Sequence, residues 1–203
     1  MEGSHLVPSR QRSSSLSDFG RPGCQQFRSP SPRGSPRLGL IQALAAMRLQ
    51  LRPASEADIA FCESLSRSNM TSYHTARGIA WNSNRFLASW AKFENFLIFS
   101  DDRPVGLLRL LVVDGALEIR DLQVMPAHRG LGIGTWAVAQ AKSNAATRGL
   151  EELRLRVYTD NPAKHLYARP GLKTDSIDCG VIHMSHRLPP DIPARDFPST
   201  PRA

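Results

Sequence analysis

This chain has few cysteines and no long apolar run. The first feature argues against a disulfide-stapled scaffold, and the second argues against a membrane-spanning protein. The 203 residues include three cysteines, Cys24, Cys62 and Cys179, which form neither an even, closely spaced framework nor a metal-ligand pattern. This argues against a disulfide-stapled scaffold and a metal site, and it indicates a reducing compartment, which we take to be the cytoplasm. No apolar run reaches the roughly 18 residues that a membrane span requires, so no membrane partner is expected.

The positive charge of the chain is divided between two regions. The formal net charge is +8, but residues 1–46 hold six arginines against two acidic residues and therefore account for +4 of it. The remaining residues carry the other +4, which suits the binding of a polyanionic cofactor. No nucleic-acid-binding motif accompanies this charge, so no nucleic-acid partner is expected.

Composition divides the chain into three parts. Residues 1–46 are rich in serine, proline and arginine and predict a disordered leader, because such a segment buries too little apolar surface to offset chain entropy. Three interpretations of this leader stay open: a signal peptide, an organellar transit peptide, or an extension upstream of a true start at Met47. Residues 47–188 are predicted to form one folded domain, and residues 189–203, with five prolines, a flexible tail.

Hydrophobic periodicity and turn signals predict the order of the elements in the domain. The predicted strands cover residues 47–52, 96–99, 105–113, a segment ending at 125, 153–158, 172–177 and 181–188. The predicted helices start at Ser55, cover 82–92, follow a glycine-rich turn near 132, and cover 162–168. Tyr73, His74 and Gly78 are predicted to lie in the loop between the first two helices. Hairpins followed by βα units predict an α/β (α+β) fold, a mixed seven-stranded sheet with helices on both faces.

The most informative stretch runs from Val124 to Ala137 and joins a strand to a helix through a basic, glycine-rich turn. Glycines allow the backbone to approach a ligand closely and to adopt a positive φ. The unpaired N–H groups and the dipole of the following helix favour an anion, and the guanidinium of Arg129 suits a pyrophosphate. The turn therefore predicts a phosphate-binding loop, the alternative being that the glycines only permit a tight helix start.

Two families use such a turn. Residues 132–137 match the dinucleotide fingerprint G-x-G-x-x-G/A, but that fingerprint belongs to the first βαβ unit of a domain, and the expected acidic residue is not at the end of a strand here. Residues 129–134 resemble instead the Arg/Gln-x-x-Gly-x-Gly/Ala acyl-CoA loop of the GNAT superfamily of N-acyltransferases. Residues 160–172 are similar to that family's Asn-x-x-Ala-x-x-Leu-Tyr-x-Arg-x-Gly-Phe segment. The resemblance covers roughly residues 47–188.

The resemblance implies acetyl-CoA as cofactor and a sheet that is splayed at its centre. In the family the pantetheine arm lies between two parallel strands that separate, and Leu122 and Val124 are expected to supply main-chain contacts to it. The pyrophosphate is expected to contact Arg129, Gly130, Leu131, Gly132, Ile133, Gly134 and Thr135. Asn161, one place beyond the family's asparagine, is a further candidate contact, as is Asp160.

Three residues are the main candidates for proton transfer. Tyr167 matches the family's tyrosine and is expected to be the general acid, since a phenol with a pKa of about 10 stays protonated at neutral pH. A tyrosine that only packs against the sheet is the alternative. Glu118 and Asp121 are candidates for the general base. Their side chains should alternate so that one faces the acceptor cleft, unless a bulge resets the alternation, and Glu118 is favoured.

Weaker candidates surround this set. A water chain or His74 are alternatives for the base, and His128 is expected to aid phosphate binding or to be exposed. The aromatic side chains of Tyr73, Trp81, Phe86 and Trp90 fit either an acceptor-lining wall or the core.

The expected activity is transfer of the acetyl group to a small-molecule amine by direct attack in a ternary complex. The alternatives are a protein or peptide amine as acceptor, and a non-catalytic acyl-CoA-binding module. No sequence feature separates a monomer from a homodimer.

Overall fold

The computed structural model describes residues 47–189, which contain seven strands and four α-helices. The strands are β1 (Leu49–Pro53), β2 (Glu94–Ser100), β3 (Arg103–Val113), β4 (Ala116–Val124), β5 (Glu152–Tyr158), β6 (Lys173–Asp178) and β7 (Val181–Arg187). The helices are α1 (Ile59–Thr75), α2 (Ser83–Trp90), α3 (Ile133–Thr147) and α4 (Ala163–Ala168), with 3₁₀ turns at Glu56–Asp58 and Pro126–His128. The predicted leader and all but the first residue of the predicted tail lie outside the described residues.

The strands form one mixed sheet in the order β1-β2-β3-β4-β5-β7-β6. The β4–β5 pair is parallel, connected through α3, and every other neighbouring pair is antiparallel. The prediction of a mixed seven-stranded sheet is confirmed.

The two parallel strands at the centre of the sheet separate along their length. Leu117–Ile119 pairs with Leu153–Leu155, whereas β4 continues to Val124 and β5 to Tyr158. Within residues 47–189, no ladder joins the later parts of these strands. The separation leaves main-chain groups at the centre of the sheet without a strand partner, as the expected splay requires.

Each face of the sheet has its own core. The larger core lies under α3 and α4 and includes Leu108, Ile119, Val138 and Tyr167. The smaller core lies under α1 and α2 and consists of Cys62, Leu65, Phe86, Leu97 and Leu107. Neighbouring residues of β3 enter different cores because successive side chains of a strand point to opposite faces. The predicted placement of helices on both faces is confirmed.

The predicted cap at Ser55 opens the 3₁₀ turn Glu56–Asp58, and α1 follows from Ile59 and ends later than predicted. The backbone N–H of Ser55 donates to the carboxylate of Asp58 at 2.8 Å, as a capping box requires. The prediction that Tyr73 and His74 lie in a loop is wrong, since both belong to the last turn of α1. No glycine or proline interrupts α1, so the chain leaves the helix only near Gly78, where φ is +65°.

Among residues 47–189, no helix is long and apolar enough to cross a membrane. The cytoplasmic location stays a prediction.

Candidate active site

The glycine-rich turn between β4 and α3 forms an open cradle of backbone N–H groups. Gly130 and Gly132 have φ values of +76° and +84°, in the left-handed region that favours glycine. A Cβ added to Gly130 would meet no atom within 4 Å. The N–H groups of residues 130–135 make no hydrogen bond within the part of the chain that the structure describes. Because they lie just before α3 and in its first turn, the helix dipole adds to their attraction for an anion.

The third glycine of the turn serves packing between two helices. A Cβ added to Gly134 would lie 2.5 Å from Cδ1 of Leu166, closer than real side chains approach. The absence of a side chain at this position therefore allows α4 to pack against the start of α3. Close packing of the two helices explains this glycine, whereas the positive φ values of the other two shape the cradle.

The Arg129 side chain forms hydrogen bonds with the end of β4 and with α1. Its Nε donates to the carbonyl of Val124 at 3.2 Å, and its Nη2 donates to Oδ1 of Asn69 on α1. The Asn69 amide in turn donates to Oε1 of Gln123 at 2.9 Å and to the Val124 carbonyl at 3.2 Å. Sequence reasoning missed Asn69, because no local pattern marks a contact between residues so far apart in the chain.

The open edge of β4 belongs to Leu122 and Val124, as the family resemblance implies. The N–H of Met125 donates to the carbonyl of Val105 on β3 at 2.8 Å. Main-chain groups alternate along a strand, so those of Leu122 and Val124 point away from β3 and toward β5. The Val124 carbonyl accepts from Asn69 and Arg129, whereas Leu122 has no ladder partner on β5.

A bulge in β4 turns both candidate bases to the same face. Opposite β3, Arg109 pairs with Asp121 and Leu110 pairs with Ile119, so Arg120 is an extra residue. Glu118 pairs with Leu111, two residues from Arg109 on β3. Glu118 and Asp121 therefore share the face that α1 and α2 cover. The exception that the sequence analysis left open applies here, because the bulge resets the alternation.

The two carboxylates lie in different surroundings. Asp121 accepts hydrogen bonds from Ser66 Oγ on α1 and from Gln123 Nε2, each at 2.7 Å. Burial raises its pKa, although these two hydrogen bonds and the nearby charge of Arg109 act in the opposite direction. Glu118 forms an ion pair with Arg120 at 2.7 Å and keeps 19% of its side chain exposed. Both residues are partly buried, so the difference lies in their partners: an arginine beside Glu118, and hydroxyl and amide donors beside Asp121.

Arg109 is a buried cation held by polar and aromatic groups. Its Nε donates to Asn95 Oδ1 and its Nη2 to Ser89 Oγ, each at 2.8 Å. The guanidinium carbon lies 4.5 Å from the ring centre of Phe86, and Trp90 lies further along the same helix. Phe86 therefore belongs to the core under α2 and not to a wall that lines the acceptor site.

Tyr167 lies on α4 with its ring packed in the larger core, 9% exposed. Burial raises the pKa of the phenol, and the negative charge of Asp121 raises it further. The phenol is therefore protonated at neutral pH and lies within electrostatic range of a carboxylate that the sequence analysis also selected. The packing of the ring also fits a tyrosine that only stabilises the core, so the role of Tyr167 as a general acid stays a prediction.

The residues at the start of α4 are engaged in local structure. Asn161 Oδ1 accepts from the backbone N–H of Ala163 at 2.9 Å, an Asx turn that leads into the helix. Asp160 forms an ion pair with Arg77 at 2.7 Å, and the Arg77 guanidinium lies 3.8 Å from the ring centre of Tyr158. Contact of Asn161 with the cofactor stays a prediction, and its side-chain oxygen is already used.

The two candidate histidines, His74 and His128, each have a buried ring nitrogen. The His74 ring stacks on Trp81 with ring centres 6.0 Å apart. The Nδ1 atoms of His74 and His128 are buried, and neither has a hydrogen-bond partner within residues 47–189. His128 is thus partly enclosed beside the cradle, and neither histidine contacts Glu118 or Asp121 through a hydrogen bond in this part of the chain.

A cavity of about 200 Å³ opens beside Glu118 and is lined by charged and apolar side chains. Its polar lining comes from Glu118, Arg154, Arg156, Asp175 and His183. Glu118 and Arg154 are paired across the β4–β5 ladder, and Arg156 and His183 across the β5–β7 ladder, so the cavity lies at the start of the splay. The arrangement places a solvent-accessible carboxylate, a charged cavity and a cradle for an anion around the separated strands.

The raised pKa of Asp121 gives a stability test. A carboxyl whose pKa is raised by folding stabilises the fold most below its unfolded pKa and loses that contribution as pH rises through the folded pKa. Asp121→Asn should therefore match the wild-type melting temperature at about pH 4 and exceed it at about pH 8. Asp102→Asn, at a side chain that is 98% exposed, is the matched control. A melting-temperature difference that stays constant with pH would contradict burial of the Asp121 charge.

Known proteins are similar to the chain in sequence. The model of the acetyltransferase (GNAT) family matches residues 59–171. Streptothricin acetyltransferase from Streptomyces lavendulae is 39% identical over 66 residues, which are 32% of this chain and 35% of that protein. The chain therefore spans about a third of the length of this curated relative.

Solved structures share the fold. An N-acetyltransferase, PaiA of Thermoplasma acidophilum in complex with coenzyme A, matches with a TM-score of 0.58 and 19% identity, over 70% of this chain and 100% of that one. Spermidine N-acetyltransferase of Vibrio cholerae, in complex with CoA and spermine, matches with a TM-score of 0.56 and 20% identity, over 68% of this chain and 95% of that one. At these identities the similarity shows a common fold.

Proposed function

Because the chain belongs to the acetyltransferase (GNAT) family, whose members are acyltransferases that use acetyl-CoA, we propose that it transfers an acetyl group from acetyl-CoA to a primary amine of a small molecule. The observation that carries the proposal is the position of Glu118 and Asp121 on one face of β4, beside the splay and ahead of the N–H cradle. The relatives named for streptothricin and spermidine support a small-molecule acceptor.

The residues of the loop fit the cofactor. Its pyrophosphate is a compact polyanion, and the N–H groups of residues 130–135 are open to it at the N-terminus of α3. Arg129 keeps N–H donors beyond the two that bind Asn69 and Val124. We assign the pyrophosphate to Arg129, Gly130, Leu131, Gly132, Ile133, Gly134 and Thr135, and the pantetheine arm to the main chain of Leu122 and Val124.

When bound, acetyl-CoA supplies a thioester whose C–S bond breaks as the amine nitrogen bonds to the acetyl carbon. Glu118 is the assigned general base, because it lines the cavity and keeps contact with the solvent to which it passes the amine proton. Tyr167 is the assigned general acid, since burial keeps its hydroxyl protonated until a departing thiolate needs the proton. Asp121 is a positioning residue that holds Gln123 and α1 through Ser66.

Thiol release tests this function against its alternatives. The full chain is incubated with acetyl-CoA and a panel of small amines and of peptides with free amines, and thiol is measured against a reaction without acceptor. We expect acceptor-dependent release with at least one small amine. Release with peptides alone would support a protein or peptide acetyltransferase instead. Binding of CoA without release for any acceptor would leave a non-catalytic acyl-CoA-binding module.

A further inference from the structure

The cavity beside Glu118 contains two cationic or protonatable groups that the proposed chemistry does not use. Arg156 and His183 lie directly opposite each other on β5 and β7. Neither side chain makes a hydrogen bond or an ion pair with any of residues 47–189, although both line the cavity. Arginine presents a planar fork that suits a carboxylate or a phosphate, and histidine adds a further donor.

The other charged groups of the cavity already have partners. Arg154 forms an ion pair with Glu152, with 3.1 Å between Nε and Oε2, and its Nη2 donates to the carbonyl of Val113 at 3.2 Å. The buried Nε of Arg154 makes no hydrogen bond within residues 47–189 and is a further donor that lines the cavity. Asp175 accepts from the hydroxyl of Ser185 at 3.0 Å. Glu118 is paired with Arg120, as described above. Arg156 and His183 are therefore the charged or protonatable side chains of this cavity that make no ion pair and no hydrogen bond within residues 47–189.

The size and spacing of the cavity limit that ligand. Glu118 is in register with Arg154, and Arg156 lies two residues further along β5. Two residues of a strand span about 7 Å, so the general base and the Arg156–His183 pair are separated by only a few covalent bonds of a ligand. A cavity of about 200 Å³ has room for a molecule of amino-acid size.

We infer that the acceptor is a small amine that also carries an anionic group, a carboxylate or a phosphate, which Arg156 and His183 bind while the amine lies at Glu118. This inference rests on the proposed function and names its substrate class. A polyamine is a poor fit, because its second ammonium group would lie beside the Arg156 guanidinium and be repelled by it.

The test compares acceptors of similar length that differ in the group at the far end. They are 4-aminobutyrate, 3-aminopropyl phosphate, butylamine and 1,4-diaminobutane, and kcat/KM is measured for each by thiol release at saturating acetyl-CoA. We expect the two anionic acceptors to exceed the other two in the wild type. Arg156→Gln should reduce the preference for an anionic acceptor over butylamine by about 10- to 100-fold, the effect of a lost hydrogen bond to a charged group.

Arg103→Gln is the matched control, since it removes an exposed positive charge at the start of β3, outside the cavity lining. It should keep both the preference and the activity of the wild type. Whichever anionic acceptor is faster identifies the carboxylate or the phosphate as the recognised group. Equal kcat/KM for butylamine and the anionic acceptors, or a loss in Arg156→Gln that is the same for all acceptors, would overturn the inference.

A separate measurement distinguishes failure of this inference from failure of the proposed function. Calorimetry in the presence of CoA measures binding of 4-aminobutyrate and 3-aminopropyl phosphate to the wild type and to Arg156→Gln. Binding that depends on Arg156, without thiol release, would support the anion subsite and overturn the proposed transfer. Absence of binding for both probes, together with thiol release from butylamine, would overturn the subsite and leave the transferase intact.

Discussion

Replacing Tyr167 with phenylalanine is expected to lower the turnover number by about 10²- to 10⁴-fold, the range typical of a lost general acid, while CoA affinity changes little. The substitution keeps the ring, which packs in the larger core, and removes only the hydroxyl. Turnover is measured by thiol release and CoA affinity by calorimetry. Because burial raises the pKa of Tyr167, its ionisation lies beyond the usual assay range, and the size of the turnover loss is the diagnostic quantity.

Tyr158→Phe is the matched control for this substitution. It also removes a phenol hydroxyl, from a ring that Tyr73 and Arg77 hold at the end of β5, and it should retain wild-type turnover. An unchanged turnover number in Tyr167→Phe, under conditions where chemistry limits the rate, would make Tyr167 a packing residue. Proton delivery to the thiolate would then come from water or from backbone donors.

Gly132→Val should weaken CoA binding by about 100-fold or more, because a side chain in the cradle blocks the hydrogen bonds that backbone N–H groups make to a charged pyrophosphate. Gly132 has a φ of +84° at the start of α3, so the substitution also strains the backbone. CoA affinity is measured by calorimetry and stability by thermal melting, which separates the two effects.

Gly149→Val controls for the strain, since Gly149 has a φ of +66° just beyond the other end of α3 and a Cβ there meets nothing within 4 Å. Both variants should lose comparable stability, roughly 1–2 kcal/mol, while only Gly132→Val loses CoA affinity. Equal CoA affinity in both variants would refute the assignment of this turn to the pyrophosphate.

The order and type of the elements were predictable from sequence because their signals are local. Alternating apolar residues define β1, the Ser55–Asp58 spacing marks the 3₁₀ turn that leads into α1, and the glycine-rich turn separates β4 from α3. The cofactor loop was recognisable for the same reason, since its glycines and Arg129 are consecutive in the chain. Such features require no knowledge of which strands pair.

The missed features depend on pairing between distant segments. The bulge at Arg120 exists only in the register between β3 and β4, so strict alternation separated Glu118 from Asp121 although the fold turns both to one face. The hydrogen bond between Arg129 and Asn69 joins residues 60 positions apart. Periodicity along one segment contains no information about either contact.

Leu166 limits the size of the residue at position 134, since a methyl group of the leucine fills the space that a side chain on Gly134 would need. The two positions are therefore sterically coupled: a larger residue at 134 requires a smaller or displaced side chain at 166. Among homologues this predicts paired substitution, with residue size traded between the two positions. Because Leu166 directly precedes Tyr167 on α4, we expect the size of residue 134 to affect the packing of the phenol as well.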